Sequence, residues 1–243
     1  MSKPRNDYQN KRFEHLKLLM PVEHTVGLEI GACDLPTVPP NLGRCHHADF
    51  RTSSAMAEMW NINPHEVCNV EFVIDRKVKI SHQISKMFDY IIACHVIEHI
   101  PNPIGYIKDL ANILRPGGIL FLAVPDKNET NDKNRPLTSL EHLLMDFHDD
   151  AVYPSMEHIV EFHRSWLELA HGQPVPIMDA YSYAVDYIDS GEADAHCHVW
   201  DSDSFREQFK VLSDHGILSD LKFHSLEKTL PGFNEFVVIF QKA

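Results

Sequence analysis

The sequence predicts an α/β protein built on buried parallel strands, on three observations. Tyr90 to Cys94 is a short apolar and aromatic run of the kind buried on both faces of a sheet. Behind it Ile104, Ile107, Leu110, Ile113 and Leu114 recur at helical spacing, and Ile119 to Val124 is a second buried run. Strand, helix and strand make one βαβ unit, with Arg115-Pro-Gly-Gly118 expected to stop the helix. The third observation is a gathering of titratable groups at the strand ends. His95, Glu98, His99 and Asp126 fall outside the carboxyl ends, where ligands bind in such sheets.

Composition bounds the answer. With 243 residues, 44% of them hydrophobic, the chain can bury one sizeable core, and a single decorated domain over 1–243 is expected. The start is polar, without the apolar stretch of a signal peptide, and no apolar run approaches the roughly 18 to 20 residues of a membrane span. A soluble, cytoplasmic protein is expected. Cys33, Cys45, Cys68, Cys94 and Cys197 are odd in number and unpatterned, so they read as core fillers rather than a disulfide framework. A formal net charge of −13 disfavours nucleic acid as substrate, because phosphate backbones are held by clustered Lys and Arg. The one basic cluster, Lys3, Arg5, Lys11, Arg12 and Lys17, reads as a solvated helix face.

In chain order, Tyr8 to Met20 has helical spacing and ends at Pro21, giving a packing helix in front of the domain. Thr25 to Pro36 is a strand running into a glycine turn, in which Gly31 lets the backbone approach a ligand and Glu29 sets a carboxylate at the strand end. A dinucleotide fingerprint needs three spaced glycines, and only Gly27 and Gly31 are present, which argues against an NAD enzyme. An ordinary βα turn explains the loop equally well. Asp49, about twenty positions beyond the glycine turn, ends the second strand where a carboxylate can accept hydrogen bonds from both ribose hydroxyls. It could instead cap the helix that Thr52, Ser53 and Ser54 start. Val70 to Ile74 reads as a third strand, with Asp75 beyond it within reach of an adenine amino group or simply in a turn.

Leu28-Glu-Ile-Gly31, Asp49, Phe88-Asp-Tyr-Ile-Ile92, Val96-Ile-Glu-His-Ile-Pro101 and Leu114-Arg-Pro-Gly-Gly118, in this order, resemble a class I S-adenosylmethionine-dependent methyltransferase. Val124-Pro-Asp-Lys127 and Arg135-Pro-Leu-Thr-Ser-Leu-Glu-His-Leu-Leu144 resemble a subgroup associated with polysaccharide biosynthesis, including sugar O-methyltransferases. Where that subgroup has a basic and aromatic run, this chain carries Asn128-Glu-Thr-Asn-Asp132. The resemblance implies a doubly wound, seven-stranded, mostly parallel sheet with a helical insertion after strand five. It implies S-adenosyl-L-methionine as cofactor and a small-molecule or oligosaccharide acceptor. The expected cofactor-holding set is Glu29, Gly31, Ala32, Asp49, Asp75, Cys94 and His95.

The sulfonium already activates the methyl group, so the protein has only to align the acceptor, exclude water and take a proton from a hydroxyl. An imidazole suits that last task. His95, His99 and His142 compete; His142 is favoured and His99 is second, against the plain reading that His142 bridges a lid helix. His95-x-x-Glu98-His99 also resembles the metal-binding element of some small-RNA and quinone methyltransferases, where an ion such as Mg2+ would hold acceptor hydroxyls, though no fourth ligand is evident.

From 126 to 200 the pattern turns helical, over Leu137 to Phe147, His158 to Ala170 and Ala180 to Ile188, and reads as an acceptor-binding lid. Phe147, Asp149, Asp150, Tyr153, Tyr181 and Tyr183 suit sugar recognition, while Trp166 is expected to pack the lid onto the core. His196-Cys-His-Val-Trp200 resembles a segment of the same subgroup and is expected to return a histidine to the pocket; as a metal pair it is weak, because strand alternation leaves both His on one face without further ligands. A helix capped by Asp201 and an antiparallel pair, Leu221 to Leu226 and Glu235 to Phe240, close the fold. A homodimer is one possible assembly. Two alternatives stand beside sugar O-methylation: a catalytically silent cofactor-binding or interaction protein, and a metal-dependent methyltransferase with another small acceptor.

Overall fold

The structure is a computed structural model and describes residues 4–190 and 194–243. Lys3 of the basic cluster lies outside them.

Parallel pairing starts with β1 (Val26–Ile30), flanked by β2 (Arg44–Asp49) on one side and β4 (Phe88–Cys94) on the other. Beyond β2 comes β3 (Phe72–Val73), and beyond β4 comes β5 (Leu114–Pro125). The closing pair, β6 (Leu221–Glu227) and β7 (Glu235–Lys242), adds antiparallel strands, with β7 against β5. The order β3-β2-β1-β4-β5-β7-β6 is the expected seven-stranded, mostly parallel, doubly wound sheet. Because the chain leaves β1 in one direction and resumes at β4 in the other, their carboxyl ends frame the crevice where this architecture binds ligands.

Strand alternation sorts the central residues onto two cores. Ile91, Ala93, Leu120 and Leu122 face α4 (Pro103–Asn112) and α8 (Ser202–Asp214), meeting Ile104, Ile107, Phe205 and Phe209. Tyr90, Ile92, Phe121 and Ala123 face the other way, onto Phe13 and Leu16 of α1 (Asp7–Leu19). Gly27 lies opposite Tyr90 in the β1–β4 register, and a Cβ there would stand 1.9 Å from the ring. Its glycine is a packing requirement of the sheet.

The helices start where the sequence supplies caps. Asn6 and Gln9 form a capping box on α1, Asn102 accepts from the Gly105 N–H at the start of α4, and Asp201 and Ser204 form a box on α8. Thr52 caps the short α2 (Ser53–Met59), and α3 (Ile80–Gln83) is a single turn before β4. Two expectations change. The third strand shrinks to two residues. Arg115-Pro-Gly-Gly118 does not stop the helix, which already ends at Asn112. It forms an irregularity inside β5, with Phe88 facing Leu114 and Tyr90 facing Ile119. Gly117 there adopts φ +77, a conformation open to glycine.

After β5 the chain makes two short 3-10 turns and then α5 (Leu140–His148), α6 (Met156–His171) and α7 (Ile177–Asp189). It returns as an extended segment over 194–200 whose Trp200 bridges to Asp126. This is the helical insertion after strand five. The pair α6 and α7 closes over a small separate core of Ile159, Ala184 and Ala195. Trp166, expected to pack inward, is 46% exposed. No helix among the described residues is long and apolar enough to cross a membrane.

Candidate functional site

At the crevice between β1 and β4 lies a cavity of about 510 Å³, walled by Gly31, Asp49, Phe50, Arg51, Trp60, His95, Val96 and His99, among others. Gly31 turns the chain at φ +73, and a Cβ there would stand 2.8 Å from Val96, so the turn and the opposite wall touch only because the side chain is missing. Asp49 ends β2 on the same wall. Burial raises its pKa, opposed by the backbone N–H groups of Arg51 and Phe50 and by the charges of Arg51 and Arg76. Its Oδ1 accepts from the Arg51 N–H at 3.1 Å.

Three expected cofactor residues lie behind this wall. Glu29 is buried under the loop and accepts the Thr37 N–H at 2.9 Å on both carboxylate oxygens. Arg5, just ahead of α1, and Gln9 within it reach the same loop, bonding the Pro36 carbonyl, with Arg5 also on that of Thr37. Glu29 therefore sets the shape of the loop without lining the cavity. Cys94 sits near the Thr37 hydroxyl, 3.8 Å away, with burial pushing its thiol up to about 12. Ala32 bonds within the loop, its carbonyl accepting from Leu35. Asp75 faces a second, smaller cavity of about 330 Å³ beyond Phe50, Arg76 and His99, together with Tyr106, Phe147 and Asp150, and its Oδ1 is taken by the Lys77 N–H. The third strand ends too early to bring it to the larger cavity.

His95 follows β4 at φ +53, a left-handed conformation uncommon for a residue with a Cβ. That turn aims Nε2 at Glu235, 2.9 Å away, and Glu235 also pairs with both Arg12 nitrogens, Nε and Nη2. Burial would raise the Glu235 pKa, but the bonds from Arg12 and His95 outweigh it and hold the carboxyl at about 2. The expected solvated basic face is thus corrected. Arg12 is buried under the sheet end because its partner comes from the start of β7. Acid should act on this network in a defined window. Glu235 stays ionised to about 2 when folded but protonates near its ordinary 4.5 when unfolded, so its contribution is complete above pH 4.5 and lost as pH falls from there towards 2. At about 1.4 kcal/mol per unit, it amounts to roughly 3 kcal/mol, readable from urea unfolding at pH 5 and pH 2.5. A Glu235→Gln variant with the same acid slope as the wild type would remove it as the source.

Beside the cavity a carboxyl and two imidazoles converge. Glu98 is buried, and among the described residues neither of its oxygens meets a hydrogen-bond donor. His99 Nδ1 bonds Asp194 at 3.0 Å, and its Nε2 stands 3.9 Å from Glu98 Oε1. Burial would lower the His99 pKa, but the Asp194 bond and the Glu98 charge outweigh it, so the pKa is raised. His196 packs edge-on against His99 and bonds Asp132 at 2.6 Å, and Asp132 also holds the buried Arg135 at 2.8 Å. His95 Nδ1 also stands 3.9 Å from Glu98 Oε1, but the set whose ligand atoms all lie within 4.8 Å of one another is Glu98, His99 and His196 rather than the expected His95, Glu98 and His99. Asp132, from the segment that departs from the sugar subgroup, was not anticipated, nor were Asp194 and Glu235.

His142 lines neither cavity. Its Nε2 is 2.7 Å from His158 Nε2 and 3.1 Å from Asp146 Oδ2, and His198 packs against both rings. The Asp146 carboxylate beside it raises the His142 pKa, whereas burial lowers His158 to about 4 and His198 to about 3. His196 and His198 therefore do not share a face. Cys197 between them, with its N–H on the Glu98 carbonyl at 2.6 Å, sends one ring to each group. The i, i+4 spacing of His142 and Asp146 was visible in the sequence; the other two partners were not.

A doubly wound sheet, a glycine turn at the switch point and an acid ending β2 beside a nucleoside-sized cavity define the class I methyltransferase fold. A methyltransferase-domain family model matches residues 48–211, more than half of the chain, and the chain belongs to that family. It is 50% identical over 36 residues to the ubiquinone biosynthesis O-methyltransferase of Parvibaculum lavamentivorans, a match covering 15% of this chain and 14% of that relative. Among solved structures, the plantazolicin methyltransferase BpumL, in complex with a pentazolic desmethylPZN analog and SAH, superposes with a TM-score of 0.51 at 12% identity, covering 97% of this chain and 84% of that one. A Rhodobacter sphaeroides chain described as a Zn-dependent alcohol dehydrogenase superposes at 0.55 with 12% identity, covering 99% and 91%. At such identities the likeness is one of fold.

Proposed function

We propose that the chain moves a methyl group from S-adenosyl-L-methionine to a hydroxyl of a sugar, oligosaccharide or similar small metabolite, with His99 as the base. The observation that carries this reading is the position of His99, on the cavity wall with Nδ1 bonded to Asp194 and Nε2 beside Glu98. A proton on Nδ1, donated to Asp194, leaves Nε2 to accept one. In the transfer the acceptor oxygen bonds to the methyl carbon as the carbon–sulfur bond breaks, the sulfonium becomes a thioether, and the hydroxyl proton passes to Nε2. Glu98 then faces the imidazolium. His142 is less suited to this role, since its Nε2 is occupied within the insertion.

Asp49 is the proposed ribose ligand. Asp49→Ala is expected to weaken binding of the demethylated cofactor by about tenfold or more in calorimetry, the usual worth of a hydrogen bond to a charged group. Unchanged affinity would place the ribose elsewhere. The second cavity, with Phe147 and Asp150, has the aromatic face and acid that sugar recognition uses.

Mg2+ fits the Glu98 group poorly. A hard cation prefers oxygen ligands, and this group offers one carboxylate against two imidazoles. The proposed transfer runs without it. Methyl transfer from labelled cofactor to a panel of monosaccharides, oligosaccharides and phenolic hydroxyl compounds, with and without chelator, tests the reading. Turnover of a sugar unaffected by chelator is expected, and no transfer to any hydroxyl despite measured cofactor binding would leave a cofactor-binding protein in its place.

A further inference from the structure

We propose that His142, Asp146, His158 and His198 form a binding site for Zn2+ or a similar transition-metal ion, which fastens the helical insertion to the sheet. The inference is independent of the proposed methyl acceptor and of the base.

The four side chains come from three places. His142 and Asp146 are one turn apart on α5, His158 lies in the first turn of α6, and His198 belongs to the extended segment that returns to the sheet. One ligand atom from each falls within 4.8 Å of all the others. Tetrahedral ligands about 2.0 to 2.1 Å from zinc stand about 3.3 Å apart. The separations here bracket that value: His142 Nε2 to His158 Nε2 is 2.7 Å, and Asp146 Oδ2 is 3.1 Å from His142, 3.6 Å from His158 and 3.7 Å from His198 Nε2.

The hydrogen-bond inventory points the same way. Asp146 Oδ2 is buried with three imidazole nitrogens around it, yet none meets it in hydrogen-bond geometry. His198, 1% exposed, leaves Nδ1 without a hydrogen bond among the described residues. Unsatisfied buried polar atoms are costly, and a cation bound by the carboxylate and the rings would resolve the carboxylate's position. Two bonds oppose the ion: the Ser155 N–H on His158 Nδ1 at 3.1 Å and His198 Nε2 on the Pro101 carbonyl at 3.1 Å. Coordination through Nε2 shifts both ring protons and gives these up, each a neutral hydrogen bond and weak beside a metal–imidazole bond.

Ligand type selects the ion. Three imidazoles and one carboxylate suit zinc, cobalt, nickel or copper better than magnesium or calcium. Four protein ligands close the shell, as in structural sites, and half-buried His142 provides the route in. The mechanical effect follows from the packing. Since α6 and α7 rest on their own small core, an ion joining α6 to α5 and to the returning segment ties that unit to the rest of the fold.

The test uses tag-free, full-length protein stripped with chelator and dialysed against Zn2+, with bound metal measured by mass spectrometry and Co2+ absorption as the geometric probe. One equivalent of zinc, a tetrahedral cobalt spectrum and a higher Tm with metal are expected. His158→Asn and His198→Asn should lower the affinity by about a hundredfold or more, and Glu98→Gln should leave it unchanged. Should the buried histidine variants fail to fold, His142→Asn, at the more exposed side of the site, and Asp146→Asn give the same reading. No uptake by the wild type at micromolar zinc, uptake unaltered by all four ligand variants, or loss only in Glu98→Gln would each overturn the proposal.

Discussion

Arg12→Ala is expected to lower the unfolding free energy by about 3–5 kcal/mol, the range for removing one partner of a buried ion pair. Glu235 is fully buried and receives both Arg12 nitrogens, so the substitution leaves a carboxylate inside the protein with only His95 against it. The loss should appear as a Tm lower by on the order of 10 °C. A second variant separates attraction from desolvation. Arg12→Met with Glu235→Met removes both charges and should recover part of the loss, because no uncompensated ion remains. Equal destabilisation in the single and double variants would mean that packing of α1, rather than the ion pair, holds this corner. Since Glu235 also fixes His95 on the cavity wall, Arg12→Ala should weaken cofactor binding as well.

His99→Asn is expected to lower turnover by about a hundredfold or more, within the range for loss of a general base, while cofactor affinity by calorimetry changes by less than about tenfold. The pH profile carries the sharper information. A base must be neutral to accept a proton, so turnover should rise with pH through the raised pKa of His99 and level off above it. In Asp194→Asn the bond that raises that pKa is weakened, and the rising limb should move to lower pH. A limb that stays in place would detach it from His99, and undiminished turnover in His99→Asn would take this histidine out of the transfer. His142→Asn then becomes the comparison, because it was the base the sequence favoured.

Particular residues mark how far the sequence could be read. The βαβ unit around Tyr90 to Cys94, the glycine turn at Gly31, the acid at the end of β2 and the insertion after β5 were all legible, because each is written as periodicity, a cap or a turn within a short window. Glu29 and Cys94 were legible as strand-end residues but not as residues behind the wall, since which face a strand end presents depends on the loop laid over it. Asp75 was legible as an acid beyond the third strand, but that strand closes after two residues and the acid lines the second cavity instead of the one beside Asp49.

What the sequence by itself determined is the α/β class, the buried βαβ unit and the gathering of polar groups at its strand ends, all consequences of local chemistry repeated along the chain, while the seven-stranded sheet followed from the family resemblance. Tertiary structure alone decided the pairings: Arg12 with Glu235 across 223 positions, His99 with Asp194 across 95, and one histidine of the returning segment sent to each of two groups. Those contacts form when distant segments close on one another, and nothing in the pattern around either partner encodes where the other will arrive.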